Sequence, residues 1–279
     1  MNTPLLPRRA VLAALAAATL PAAAQAPQPL VLGLAPFLST TALLAAFRRL
    51  REHLERDLAG PVATYTARDF RTLCENARRG DYDIALLPAH VGLLALQDWG
   101  FAPIARTLPV TTTLLLVRHD SRVRTAADLQ GGRVGGLDPL SIIVASALAW
   151  LQSQGLAPGR DMTFVPQASI NSGLFALARG DIEVMVVASS QLLLLPADTP
   201  RPERVLKSLG DVAGPVFVAR PGPSGATLDR WRAAFGAFKP DPAGPATAAN
   251  TPLAPLAAAD LAPLSHYTAL ARVLLASGR

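Results

Sequence analysis

The stretch Leu114–Trp150, LLLVRHDSRVRTAADLQGGRVGGLDPLSIIVASALAW, decides how the rest of the chain is read. Leu114–Val117 is a compact apolar run that stops at the charged Arg118-His119-Asp120, which predicts a short strand. Thr125 stands where it can cap a short helix over residues 126–130, and Gly131-Gly132 can end that helix. Arg133–Gly136 predicts a second strand. Asp138-Pro139 turns the chain, and Ser141 occupies an N-cap position before the apolar segment Ile142–Gln152. A loop that feeds a helix start leaves backbone N–H groups unpaired and carries the positive end of the helix dipole, so this junction favours an anion.

Outward from that stretch, strands alternate with helices. Leu30–Ala35 reads as a strand. Residues 42–58 read as a helix, with Leu43, Phe47, Leu50 and Leu54 at helical spacing. Val62–Thr66 is a strand, Asp69 can cap the helix that follows, and Gly80 ends it. Ile84–Leu87 is a buried strand. Such alternation predicts α/β units on mainly parallel sheets. The chain also repeats itself. Arg79-Gly80-Asp81-Tyr82-Asp83-Ile84-Ala85-Leu86-Leu87 recurs as Arg179-Gly180-Asp181-Ile182-Glu183-Val184-Met185-Val186-Val187. Two like units a hundred positions apart predict two like lobes, with ligand loops at the carboxyl ends of the strands facing one cleft.

On this reading residues 28–110 begin lobe one and residues 111–207 form lobe two. Residues 208–238 return to lobe one. Leu108–Leu116 and Ser208–Val218 are the crossing strands. Ala197–Arg204 is expected as an exposed loop. Lys239–Pro263, rich in Pro and Ala, is expected as an extended linker, and residues 264–279 as a closing helix with Tyr267, Leu270, Ala271 and Leu274 on one side.

The first 26 residues pair Arg8-Arg9 with a short apolar run and a small-residue cleavage site, which predicts a secretory signal. The twin arginines suggest the twin-arginine route. The formal charge of +6, two units of it from Arg8 and Arg9, is mild and scattered, and argues against a nucleic-acid partner. Cys74 is the single cysteine, so there is no internal disulfide, and it is expected in the core. No metal spacing, nucleophile–base pair or phosphate loop is present, so neither catalysis nor a cofactor is expected.

Candidate ligand positions are strand-end loops bearing hydroxyls or amides, which bind oxyanions with little desolvation cost. In lobe one these are Ser39, Thr40 and Thr41, the turn ending at Phe70, and His90 in the loop after Pro88. In lobe two they are Ser141 with Ile142, the loop around Asn171, and Ser189 with Ser190. Each hydroxyl also fits a plain helix cap. His53, His119 and His266 read as surface residues.

The motifs Val117-Arg118-His119-Asp120-Ser121, Ala127-Asp128-Leu129-Gln130-Gly131-Gly132-Arg133-Val134 and Asp138-Pro139-Leu140-Ser141, in that order, resemble the second lobe of periplasmic substrate-binding proteins. The closest group is the phosphate/phosphite/phosphonate type that serves ABC transporters. The resemblance spans roughly Leu30 to Gly236. It implies a two-lobed type II periplasmic binding protein that closes on a small, anionic ligand by hinge rotation. It implies delivery to an ABC permease in the inner membrane, by a monomer. In the resembled group the loop often reads Asp-Pro-x-Ser-Thr-Ser, whose hydroxyls hold the phosphonate oxygens. Here Ser141 is kept and Ile142 and Ile143 replace the other two, which points toward a carboxylate, a sulfonate or a more apolar ligand. Two other roles stay open on the sequence: a ligand-reading subunit for a membrane histidine kinase, and a dehydratase-type enzyme on the same scaffold.

Overall fold

The computed structural model describes residues 28–108, 111–195, 197, 199–201 and 204–277. The expected signal segment, parts of the first crossing and parts of the 197–204 loop lie outside the described residues.

Lobe one opens with β1 (Leu30–Leu34), α1 (Thr40–Asp57), β2 (Val62–Thr66), α2 (Phe70–Arg79), β3 (Ile84–Leu87), α3 (Ala89–Asp98) and β4 (Ala102–Thr107). Lobe two follows with β5 (Thr112–Val117), β6 (Arg133–Gly136), α4 (Ile142–Ser153), β7 (Thr163–Pro166), α5 (Ile170–Arg179), β8 (Val184–Ala188) and β9 (Arg204–Asp211). The chain then returns through β10 (Val216–Ala219), α6 (Gly225–Ala237), β11 (Leu253–Pro255), α7 (Ala258–Leu261) and α8 (Ser265–Ala276). Two sheets result, in the orders β11-β4-β10-β3-β1-β2 and β7-β6-β8-β5-β9.

Each sheet is mixed rather than mainly parallel. β1, β2 and β3 run parallel, as do β6, β7 and β8. β10 and β5, each placed next to the third strand of its sheet, run antiparallel to it. The parallel halves are the helix-linked units that the sequence pattern reveals. The antiparallel strands are the ones that pass between lobes, and their direction is set by where the chain returns.

The hundred-residue repeat is a structural repeat. α2 and α5 both end in a left-handed glycine, Gly80 at φ 84° and Gly180 at φ 79°, a conformation that costs glycine least. Asp83 accepts the Val31 N–H at 2.9 Å, and Glu183 accepts the Arg133 N–H at 2.6 Å. The middle strands each carry a glycine because a side chain stands over them. A Cβ on Gly33 would lie 2.4 Å from the Tyr82 ring, and one on Gly135 would lie 2.3 Å from the Ile182 methyl.

The sheets change over between Thr107 and Thr112 and again between Asp211 and Val216. The expected continuous crossing strands are therefore broken. The two connectors bond to each other instead, Thr107 N–H to the Pro215 carbonyl at 3.2 Å and Val212 N–H to the Thr111 carbonyl at 3.2 Å. Proline lacks a ladder donor, so Pro215 sits where the strand stops.

Other expectations change with tertiary context. The 126–130 helix is a single 3-10 turn at Ala127–Leu129, held by Asp128, whose carboxylate accepts the N–H groups of Arg124 and Thr125 at 2.9 and 2.8 Å. Thr125 donates to that carboxylate and caps nothing. Residues 239–263 are not an extended linker. β11 pairs with β4 at the sheet edge, α7 follows, and Thr247, Ala249, Thr251, Leu256 and Leu261 are buried. In α8 the buried residues are Thr268 and Ala271, while Leu270 faces solvent. Thr199, in the loop expected to be exposed, is buried and donates to Asn171 at 2.8 Å. His53 is tucked between α1 and α6, 2.8 Å from the Ala234 carbonyl. Cys74 is fully buried, and burial raises its thiol to about 12.

Candidate functional site: a cleft between the lobes

A cavity of about 70 Å³ lies where the lobes meet. Lobe one contributes Phe37 and Phe70 and the Pro88 that precedes α3. Lobe two contributes Ser141, Ile142, Ile143, Ser190 and Gln191, and the second connector runs past as Val212–Pro215.

The best-formed part of the cleft is the start of α4. The Asp138 carboxylate accepts the Leu140 N–H at 2.7 Å, and the Asp138 carbonyl accepts the Ser141 N–H at 2.8 Å. This tight turn delivers Ser141 to the N-cap position with an extended backbone, yet its hydroxyl makes no capping bond. The first helical bond belongs to the Ala145 N–H, so the N–H groups of Ile142, Ile143 and Val144 have no acceptor among the described residues. Ser141 is 5% exposed and lines the cleft. A buried hydroxyl and three open N–H groups at a helix start form an anion cradle. Ile142 and Ile143 pack with the lobe-two core and also line the cleft, so they give it apolar surface and only their backbone gives it polarity.

Opposite, Pro88 is the N-cap of α3 and carries no side-chain cap. Ser190 and Gln191 sit in a 3-10 turn, Ser189–Leu194, directly after β8. Gln191 Oε1 accepts the Ala188 N–H at 3.1 Å, and the Ser190 N–H donates to the Thr111 hydroxyl at 3.3 Å.

Of the residues picked from the sequence, Phe70, Ser141, Ile142 and Ser190 line this cavity. The others do not. Ser39 caps α1, accepting the Ala42 N–H, and Thr40 and Thr41 are exposed beside it. Ser189 accepts the Thr112 N–H at 3.0 Å. Asn171 is held by Thr199. His90 is no loop residue. It lies in the first turn of α3, 1% exposed, with its Nδ1 unpartnered and its ring edge-on to Tyr267 at 6.3 Å. Burial pushes it down to about 3, with His266 a smaller contributor. The C-terminal helix that covers it is legible in the sequence, but its packing against α3 is not visible in local pattern. Gln191, Thr247, Ala248 and the 212–215 connector were missed. The Pro/Ala bias of 239–263 hid Thr247, while Gln191 follows the Ser-Ser pair and was the nearest to being read.

Among the described residues, no group of three or more His, Cys, Asp or Glu is placed to hold a metal, and no helix is long and apolar enough to cross a membrane.

Two α/β lobes of the same strand order, doubly connected and enclosing a small cleft, define a type II solute-binding protein. Residues 32–264 match the family described as ABC transporter, phosphonate, periplasmic substrate-binding protein, and the chain belongs to that family. No curated protein matches. Among solved structures, the chain is similar to a binding protein component of an ABC phosphonate transporter from Pseudomonas aeruginosa, at 16% identity and TM-score 0.74, covering 89% of each chain. It is similar to PhnD1 from Prochlorococcus marinus in complex with methylphosphonate, at 11% identity and TM-score 0.73, covering 88% of this chain and 99% of that one. It is similar also to XAC2383 from Xanthomonas citri bound to ATP, at 21% identity and TM-score 0.68, covering 87% and 98%. These likenesses bear on the fold. The family match makes the chain an extracytoplasmic solute-binding protein of ABC transport.

Proposed function

We propose that this protein captures a small organic oxyanion in the cleft, holds its charged head at the start of α4, and hands it to an inner-membrane ABC permease without chemical change. The observation that carries this reading is Ser141, a buried cap residue whose hydroxyl caps nothing, beside three unpaired N–H groups. Ser190 and Gln191 complete the polar side, and Phe70 and Ile142 the apolar side. The similar protein from Prochlorococcus marinus carries methylphosphonate, which is a head of this class.

The hinge is the pair of connectors joined at Thr107–Pro215 and Thr111–Val212. Rotation there opens the mouth, and closure excludes water and strengthens each N–H contact to the anion. The protein works as a monomer, is exported through its first 26 residues by the twin-arginine route, and needs no cofactor.

Purified mature protein, screened by thermal shift and then calorimetry against phosphite, methylphosphonate, alkanesulfonates and carboxylates, tests the proposal. At least one should raise the melting temperature and titrate with 1:1 stoichiometry. Binding by none of them ends the reading, and turnover of a bound compound replaces transport with catalysis.

A further inference from the structure

The cleft that would take the anion has no charged side chain. None of its described lining residues is Asp, Glu, Lys, Arg or His. Positive potential comes only from helix starts, each worth roughly half a charge. Facing that one polar end are Phe37, Phe70, Ile143, Leu194 and Val212. Ser141 and Ser190, both over nine-tenths buried and with hydroxyls that bond no group among the described residues, mark the polar end as built for a ligand.

Two carboxylates, Asp69 and Asp138, line a neighbouring hollow that shares Phe70 with the cleft. Both are engaged. Asp69 accepts the Thr72 N–H at 2.7 Å and sits against Arg68 at 3.1 Å, and Asp138 accepts the Leu140 N–H at 2.7 Å. Burial raises the Asp138 carboxyl above its ordinary value. An ammonium group placed against the apolar wall would be buried without a partner, which is costly. An alkyl group there gains burial.

We infer that the ligand is an oxyanion carrying an uncharged apolar substituent, and that the cleft rejects both amino-substituted analogues and bare inorganic ions. The inference rests on the oxyanion reading above and narrows it to a substrate class.

Matched pairs test it by calorimetry on the mature protein: ethylphosphonate against 2-aminoethylphosphonate, and ethanesulfonate against 2-aminoethanesulfonate, with inorganic phosphate as the bare ion. In whichever series binds, the alkyl member should bind about 100-fold or more tightly than its amino twin. Lengthening from methyl to ethyl to propyl should tighten binding about fourfold per methylene until the wall is covered. An amino twin that binds as well as its alkyl partner, or inorganic phosphate that binds best, overturns the inference and leaves oxyanion capture standing. Absence of binding by every member of both series overturns the capture reading along with it.

Discussion

The helix that follows the glycine-bearing middle strand of each lobe, β1 and β6, begins in a different way, and the contrast locates the ligand. In lobe one Ser39 caps α1 in the ordinary manner, exposed and away from the cleft. In lobe two Ser141 holds the equivalent place before α4, buried and uncapping. The scaffolds are alike down to the glycine under each following side chain and the carboxylate on each edge amide. A helix start left open inside one of two otherwise matched units marks where an outside acceptor belongs.

The lobes also differ in what surrounds the repeated parts. Lobe one is closed over by β11, α7 and α8, so His90 is buried there, whereas the residue a hundred positions on, Ser190, faces the cleft. The largest expected effect tests that cover. An unfolded histidine titrates near 6.5, while His90 is held down to about 3. Between those values the unfolded chain binds a proton that the folded chain does not, so stability falls as pH drops from about 6.5 toward 3. His90→Met should lose roughly 2–3 kcal/mol less than the parent between pH 7 and pH 4.5, measured by urea unfolding. Equal losses would mean that lobe one is open at His90.

Next comes the edge carboxylate. Asp83 takes the Val31 N–H and also the Arg220 guanidinium at 2.8 and 3.0 Å, well shielded from solvent. Glu183 serves Arg133 in a more exposed setting. Asp83→Ala should cost about 2 kcal/mol and Glu183→Ala about 1 kcal/mol in denaturant melts, because the pair around Asp83 is the less exposed of the two. Similar costs would erase the distinction between the two straps.

The paired glycines should separate in the same direction. Tyr82 is a rigid ring whose hydroxyl accepts from Asn76 at 2.9 Å, so Gly33→Ala should cost about 2 kcal/mol. Ile182 meets Gly135 with the end of a flexible chain, and Gly135→Ala should cost about 1 kcal/mol by the same measurement. The smallest difference in energy is the most telling for function. Ser141→Ala should weaken oxyanion binding by about 1–2 kcal/mol in calorimetry. Ser39→Ala should lower the melting temperature slightly and leave affinity unchanged.

Local pattern carried the elements whose ends are chemically marked. Ile84–Leu87 and Arg133–Gly136 have the bounds that their apolar runs and flanking glycines predict, and α8 begins and ends where its pattern does. Asp69 caps α2 as its position suggests. What stayed hidden depends on partners far along the chain. Residues 253–255 have no strand signature, and only pairing with β4 makes them one. The fate of His90 is set by Thr268, whose hydroxyl bonds the His90 carbonyl from 178 positions away. In the cleft, Ser141 was legible as a helix start, while Gln191 and Thr247 were placed there by the fold of the connectors and the returning segment.

The edge position of β11 sets an order of events. Lobe two is one uninterrupted run from Thr112 to Asp211 and can complete its sheet on its own. Lobe one holds a gap beside Thr107 that only Leu253–Pro255 fills, and α3 stays bare until α8 arrives. The half that starts the polypeptide is thus the half that matures last, and loss of a few residues at the tail would strike the oldest part of the molecule rather than the newest.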